Sequence, residues 1–434
     1  MLIRRSCLFV GILLVGSATL LGSSPVGAAA GRALPTKDPF YTYTGHKPLA
    51  KIAPGTVLNK RVVKVAINGS SSPISADQLL YRTRNERGKP AVTVTTVLKP
   101  PTATVAPRIL TYLSFYDALG SQCDPSYTLA GGDPGSTNQS QANEEELLIG
   151  SYLTQGYIVT IPDYEGEKLD WAAGQESGSA TLDGIRATES DLKLAHSTKV
   201  ALSGYSGGAI AADWASELAP HYAPGLNIVG VAEGGIPVDF AHNTNYINGS
   251  KDWSGVIPAV LVSLTRAFDM KLAPYLSAKG KRITKQVRHE CIGAFLGNYP
   301  GLKIKSLLRP RYKHFFAIPA FARIANRLLM GSTKGHPKGP LFMGVGDSDG
   351  TGDGVMVTKD VEGLAHEYCT QGVPVQFSTY QGADHTEAAL EFEPAALEFL
   401  QARFAGTPFV NGCSSIGKGN SLKPVPVHKH HKKK

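Results

Sequence analysis

Gly204-Tyr205-Ser206-Gly207-Gly208, preceded by Lys199-Val200-Ala201-Leu202, is the stretch on which the reading of this chain turns. The four residues before it are short, apolar and partly β-branched, the signature of a buried strand. After it, Ile210, Trp214 and Leu218 recur every four residues and mark one face of a helix. A serine between glycines is common by chance. A serine between glycines at a strand-to-helix turn is the context of a nucleophile elbow, where neighbouring β-carbons would have no room.

Working outward, strand-like and helix-like segments alternate on both sides. Gln78 to Arg82 and Ala91 to Val97 flank a hairpin turn at Asn85-Glu86-Arg87-Gly88. Ile109 to Leu113 predicts a strand, Glu144 to Gln155 a helix, Tyr157 to Ile161 a strand and Gly178 to Ala195 a helix. Asn227 to Val231 predicts the strand after the elbow helix. The alternation implies right-handed βαβ units and a mostly parallel central sheet, the α/β class. It stops between Asp239 and His336, where the pattern is helical, with Ile257 to Phe268 apolar and Phe315 to Leu329 amphipathic. It resumes with strands at Leu341 to Val345 and Val373 to Phe377 and closes with a helix near Thr386 to Phe404. The expected division is therefore a leader (1–30), a first core part (31–238), a helical cap inserted before the last strands (239–336), a second core part (337–412) and a basic His/Lys-rich tail (413–434). Ligands of open α/β sheets bind at the carboxyl ends of the strands, which such a cap would cover.

The leader has Arg4 and Arg5 before an apolar run from Leu8 to Leu21, then Ala28-Ala29-Ala30, a small-residue cleavage site. Secretion is expected, with an uncleaved anchor as the alternative; no later stretch is long and uncharged enough to span a membrane. Beyond Cys7 in the leader the cysteines are Cys123, Cys291, Cys369 and Cys413, an even number that suits an oxidising compartment and permits three pairings. They are far apart, with no Cys-x-x-Cys, so no zinc site is expected. Net charge is +9, unevenly spread. Asp239 to His336 carries 16 Lys/Arg against 4 Asp/Glu, and Lys418 to Lys434 carries six lysines and no acid. A basic cap and tail on an acidic body suggest attraction to anionic lipid or cell-wall polymer, or merely a solvated charged face. Nothing resembles a nucleic-acid-binding module. His428, His430 and His431 could chelate a metal, although a basic tether is the expected role.

A serine hydroxyl needs a base to become a nucleophile, and the base needs an orienting acid. On an α/β-hydrolase sheet the chain order is serine, acid, histidine, with the last two on loops after late strands. His385, in Gln381-Gly382-Ala383-Asp384-His385, fits the base; Asp384 is its sequence neighbour and badly placed to orient it. The preceding loop, Gly346-Asp347-Ser348-Asp349-Gly350-Thr351-Gly352-Asp353-Gly354-Val355-Met356, offers the acid. Asp347 is nearest the strand end, and Asp353 precedes the apolar start of the next element. A calcium loop is a rival reading, weakened because position twelve from Asp347 is Thr358 rather than Glu.

The chain also resembles the secretory lipases related to lipase A of Candida antarctica. The likeness runs through Asp38-Pro39-Phe40-Tyr41, Tyr116-Asp117-Ala118, Cys123-Asp124-Pro125-Ser126-Tyr127, Asp163-Tyr164-Glu165-Gly166, Leu182-Asp183-Gly184-Ile185-Arg186-Ala187, the elbow, Tyr222-Ala223-Pro224, Leu226 to Gly230 and Gly234-Gly235. The resemblance implies an α/β-hydrolase fold and a serine carboxylic-ester hydrolase, with Ser206 as nucleophile and His385 as base. It implies Asp353 as acid, since the family's acid sits in an Asp-x-apolar-apolar segment. It further implies an oxyanion hole from Asp117 and the Gly207 N–H, and disulfides Cys123–Cys291 and Cys369–Cys413. An Asp117 side chain can serve an oxyanion only when protonated, because a carboxylate would repel it.

The expected activity is that of a secreted triacylglycerol lipase working through an acyl-enzyme, with no cofactor and no metal. Val256, Ile257, Val260, Leu261 and Leu264 are the expected lining of an acyl tunnel in a cap that moves at a lipid surface. An acyltransferase, or an esterase acting on other lipid or short-chain esters, would use the same residues. A peptidase would too, but no second domain restricting access is evident; a non-catalytic surface-binding protein would explain the basic segments alone. The expected partners are a lipid or ester substrate and an anionic surface, not nucleic acid, and a monomer is expected.

Overall fold

Nine apolar, β-branched runs become nine strands. The structure, a computed structural model, describes residues 32–427 apart from 66, 68–73, 103–105, 134–135, 313 and 334. The expected leader and the last residues of the tail, 428–434 with their histidines, lie outside the described residues. In chain order the strands are β1 (Val57–Val65), β2 (Ile74–Arg84), β3 (Pro90–Leu98), β4 (Arg108–Leu113), β5 (Ile158–Pro162), β6 (Lys199–Tyr205), β7 (Asn227–Gly234), β8 (Leu341–Asp347) and β9 (Val375–Gln381). They form one sheet in the order β1-β2-β3-β5-β4-β6-β7-β8-β9. The first three strands and the β3–β5 pair are antiparallel, and every pair from β5 to β9 is parallel.

Both faces of the sheet are covered, as parallel strands require. Along β4 and β6, Ile109, Val200 and Leu202 enter one core while Leu110, Ala201 and Tyr112 enter the other, the two-residue alternation of a strand. The helices that cover it include α1 (Thr137–Thr154), α2 (Gly174–Asp191), α3 (Gly207–Tyr222) and, after the later strands, α9 (Thr358–Thr370) and α10 (His385–Ala405). Between β7 and β8 lie α4 (Phe240–Tyr246), α5 (Val256–Ala267), α6 (Ala278–Val287), α7 (Ile304–Leu307) and α8 (Pro319–Leu328). Among the described residues this segment has only single β-bridges, Ala118 to Cys291 and Leu276 to Leu308.

Two boundaries differ from the sequence reading. Helix α2 begins at Gly174 rather than Gly178, because Glu176 is buried and its carboxylate accepts the Glu86 N–H at 2.8 Å. A polar residue with a distant partner is invisible to periodicity. The last strand begins at Val375 rather than Val373 and runs on through Gln381; Pro374 lacks the N–H a ladder residue would donate.

Register sets up the site. Leu113 of β4 stands opposite Gly204 of β6, Tyr205 opposite Gly234 of β7, and Asp347 of β8 opposite Gln381 of β9. The loops that follow β4, β6, β8 and β9 therefore emerge along one edge, at the carboxyl ends of the strands. Cys123 is bonded to Cys291 and Cys369 to Cys413. The first bond, with Leu119 N–H donating to Glu290 O at 2.9 Å, ties the loop after β4 to the helical segment. The described part of the tail, 413–427, is strapped to the body. Asn420 N–H donates to Lys359 O at 2.7 Å, and the Asn326 side chain of α8 exchanges two hydrogen bonds with the Val425 backbone.

Candidate active site

Ser206 sits between β6 and α3 with φ 54° and ψ −119°, a conformation that costs a non-glycine residue on the order of 1–3 kcal/mol. The surroundings hold it there. A β-carbon on Gly208 would lie 2.0 Å from Leu113 O, and one on Gly207 would lie 1.7 Å from Asp117 Oδ1. Only glycine lets the elbow come this close to the end of β4 and the loop beyond it. Ser206 N–H donates to Gly234 O at 2.8 Å, which fixes the turn from the other side. Gly207 is the first residue of α3, where an N–H has no intrahelical acceptor.

His385 is the first residue of α10. Asp384 caps that helix by accepting the N–H groups of Thr386 and Glu387, both at 2.9 Å, while Glu387 accepts the Asp384 N–H at 3.0 Å. This capping box orients the backbone from which the imidazole projects. His385 Nε2 lies 2.9 Å from Ser206 Oγ, and Nδ1 lies 2.7 Å from Asp353 Oδ2. Asp353 is almost wholly buried, and its other carboxylate oxygen accepts the N–H groups of Val355 (3.0 Å) and Met356 (2.7 Å). His385 N–H also donates to Asp353 O at 2.9 Å, and Tyr205 O–H donates to His385 O at 2.6 Å.

The three aspartates of the loop after β8 thus occupy different environments. Asp347 ends the strand, and its backbone oxygen accepts the Gly382 N–H. Asp349 accepts the N–H groups of Thr351 and Gly352 and the Tyr246 hydroxyl, closing the turn on itself rather than presenting ligands for a calcium ion. Among the described residues no group of three or more His, Cys, Asp and Glu is arranged to hold a metal. Asp353 alone of the three contacts the imidazole.

On the other side of Ser206 stands Asp117, at φ 38° and 3% exposed. Its Oδ1 has no hydrogen-bond partner. Burial pushes its pKa up to about 8; the neighbouring Trp171 indole opposes the rise and the Glu145 charge adds to it. Near neutral pH the side chain is therefore a neutral acid, able to donate. Two more buried carboxylates brace its loop. Glu145, itself raised to about 7 by burial, accepts from Ser114 Oγ (2.7 Å) and Phe115 N–H (3.0 Å). Glu165 accepts the Ala118 N–H through both oxygens, at 3.3 and 3.1 Å. Sequence reading did not assign these two, because their partners are distant in the chain.

Ser206, Gly207 and Asp117 open on an apolar cavity of about 100 Å³. Val256, Ile257, Val260 and Leu261 line it, as the sequence led us to expect. Leu264 does not; it is fully buried among Val287, Phe295 and Ile324, since it falls on the face of α5 turned toward α6 and α8. All three tryptophans of the chain, Trp171, Trp214 and Trp253, line the cavity, which the sequence reading missed. Trp253 meets His385 edge-on, with ring centroids 5.2 Å apart and planes at 87°. Tryptophan rarity was the available signal.

A profile of the secretory lipase family matches residues 133–412. The chain belongs to the secretory lipase family. It is 34% identical over 391 residues to a secreted triacylglycerol lipase, LIP1, of Malassezia furfur, covering 87% of this chain and 77% of that protein. It is 31% identical over 388 residues to a Mycobacterium tuberculosis protein named "Probable inactive lipase MT1628", covering 87% and 84%. Among solved structures, Candida antarctica lipase A in its closed state matches with a TM-score of 0.81 and 32% identity over 88% of this chain and 89% of that one. The fold is accordingly the α/β-hydrolase fold, and this family member is a secreted carboxylic-ester hydrolase.

Proposed function

We propose that this secretory lipase cleaves acylglycerols through an acyl-enzyme on Ser206, with His385 as base, Asp353 as orienting acid, and Asp117 with the Gly207 N–H as oxyanion hole. The observation that carries this reading is the unbroken path from Asp353 through His385 to Ser206, ending on an apolar cavity. His385 Nε2 takes the Ser206 proton as Oγ bonds to the ester carbonyl carbon. The developing negative oxygen receives hydrogen bonds from Gly207 N–H and the protonated Asp117. The carbon–oxygen bond to the alcohol then breaks, and the proton on His385 goes to the leaving oxygen. Water, deprotonated by the same imidazole, releases the fatty acid and restores Ser206. The helical segment 239–336 acts as the cap over this site. Helix α6 turns Ile283 and Val287 inward and exposes Lys279, Lys281, Arg282 and Lys285, so the cap would be drawn to anionic lipid or cell-wall polymer.

The test is turnover of a triacylglycerol and a p-nitrophenyl ester series by wild type and Ser206→Ala. Active wild type and a loss of about 10⁶ in kcat in the variant is the expected result. Equal, negligible turnover by both would overturn the reading, a real outcome given that one relative bears the name of an inactive lipase.

A further inference from the structure

A second opening reaches the same imidazole from the opposite side of Trp253. The apolar cavity has Trp253 in its wall and touches Ser206. A separate surface cleft of about 450 Å³ also has Trp253 in its wall, and it touches His385 and Asp353. The two differ in chemistry. The first is lined by aliphatic and aromatic side chains, the second by Lys251, Asp252, Ser348, Asp384 and Thr386 around the indole. Among the described residues neither Lys251 nor Asp252 takes part in an ion pair, and both are exposed.

An ester has two halves, and the alcohol oxygen must come within reach of His385 to receive its proton. The apolar cavity suits the acyl half. From this we propose that the polar cleft beside His385 is the alcohol subsite, and that it takes a polyhydroxylated alcohol, a glycerol or a sugar unit. Carboxylates accept hydroxyl protons, an ammonium donates to hydroxyl oxygens, and an aromatic edge or face packs against the C–H faces of a polyol. An alkyl alcohol there would leave these polar groups without partners, which disfavours it. The inference rests on the acyl-enzyme reading above and narrows it: the favoured substrates carry one apolar acyl chain on a hydroxyl-rich alcohol, as a monoacylglycerol or a sugar monoester does.

The experiment compares three esters of one fatty acid, a propyl ester, a 1-monoacylglycerol and a glucose monoester, on wild type and on Lys251→Ala/Asp252→Ala. Wild type is expected to favour at least one polyol ester over the propyl ester by about tenfold in kcat/KM, and the two polyol arms tell glycerol from sugar. In the double variant that ratio is expected to fall several-fold. No polyol preference in an active wild type, or a preference the double variant leaves unchanged, would overturn the alcohol subsite while sparing the acyl-enzyme. Wild type inert on all three esters would overturn the acyl-enzyme reading itself.

Discussion

Two buried aspartates flank Ser206, and their surroundings are opposites. Asp353, in the loop after β8, is met by the imidazole and two backbone N–H groups. Asp117, in the loop after β4, has an oxygen with no partner, and its neighbours include the carboxylates Glu145 and Glu165. The same side chain is thereby fitted for two tasks. Surrounded by donors, a carboxylate is an acceptor that can hold an imidazole and its positive charge. Starved of donors and of water, it keeps its proton and can itself donate. Residue type decides neither role; the number of N–H groups within reach does.

The contrast breaks most visibly at Asp353. Replacing it with Asn leaves the shape but offers the imidazole an ambiguous partner, and a loss of about 10⁴ in kcat is expected. Asp347→Asn in parallel should stay within a few-fold of wild type in the same ester assay. A large loss in the second variant alone would move the acid to Asp347. Next in size is Asp117→Ala, which removes one oxyanion donor and should cost about 10²–10³ in kcat with KM little changed. The smallest effect concerns stability. Burial raises Glu145 and Asp163 to about 7 and Glu393 to about 8. It also raises the clustered Asp213 and Glu233, whose charges would repel each other. A carboxyl with a raised folded pKa stabilises the fold below its unfolded value, near 4, and that stability is lost as pH rises through the folded value. Chemical denaturation followed from pH 5 to pH 9 should show stability falling by on the order of 2–4 kcal/mol. Glu145→Gln should flatten the curve between pH 5 and 7; a curve that rises over this range would contradict the account.

Much of this was legible in the sequence, for a physical reason. Strands buried on both faces read as apolar runs, so Ile109 to Leu113, Tyr157 to Ile161 and the elbow strand were readable within a residue or two of their observed ends. The elbow was readable because its glycines are demanded by local sterics. Contacts between distant segments were not. The residues alone left Asp347 and Asp353 as equal candidates, because the choice depends on how the loop turns at Asp349. The bracing of the Asp117 loop by Glu145 and Glu165 depends on packing across β4 and β5. Leu264 and the tryptophans went astray for a related reason: a helix periodicity tells which face is apolar, but not which apolar neighbour that face meets.

The central claim, a donor-starved aspartic acid facing a donor-rich carboxylate across the nucleophile, is tested most directly by the pH dependence of kcat/KM for wild type and Asp117→Asn on one soluble ester. Asparagine donates without titrating. The account predicts that wild-type activity falls as pH rises past about 8, that the variant lacks this alkaline limb, and that it keeps activity within about tenfold near pH 6. An alkaline limb unchanged in the variant, or a variant inert at every pH while properly folded, would contradict it.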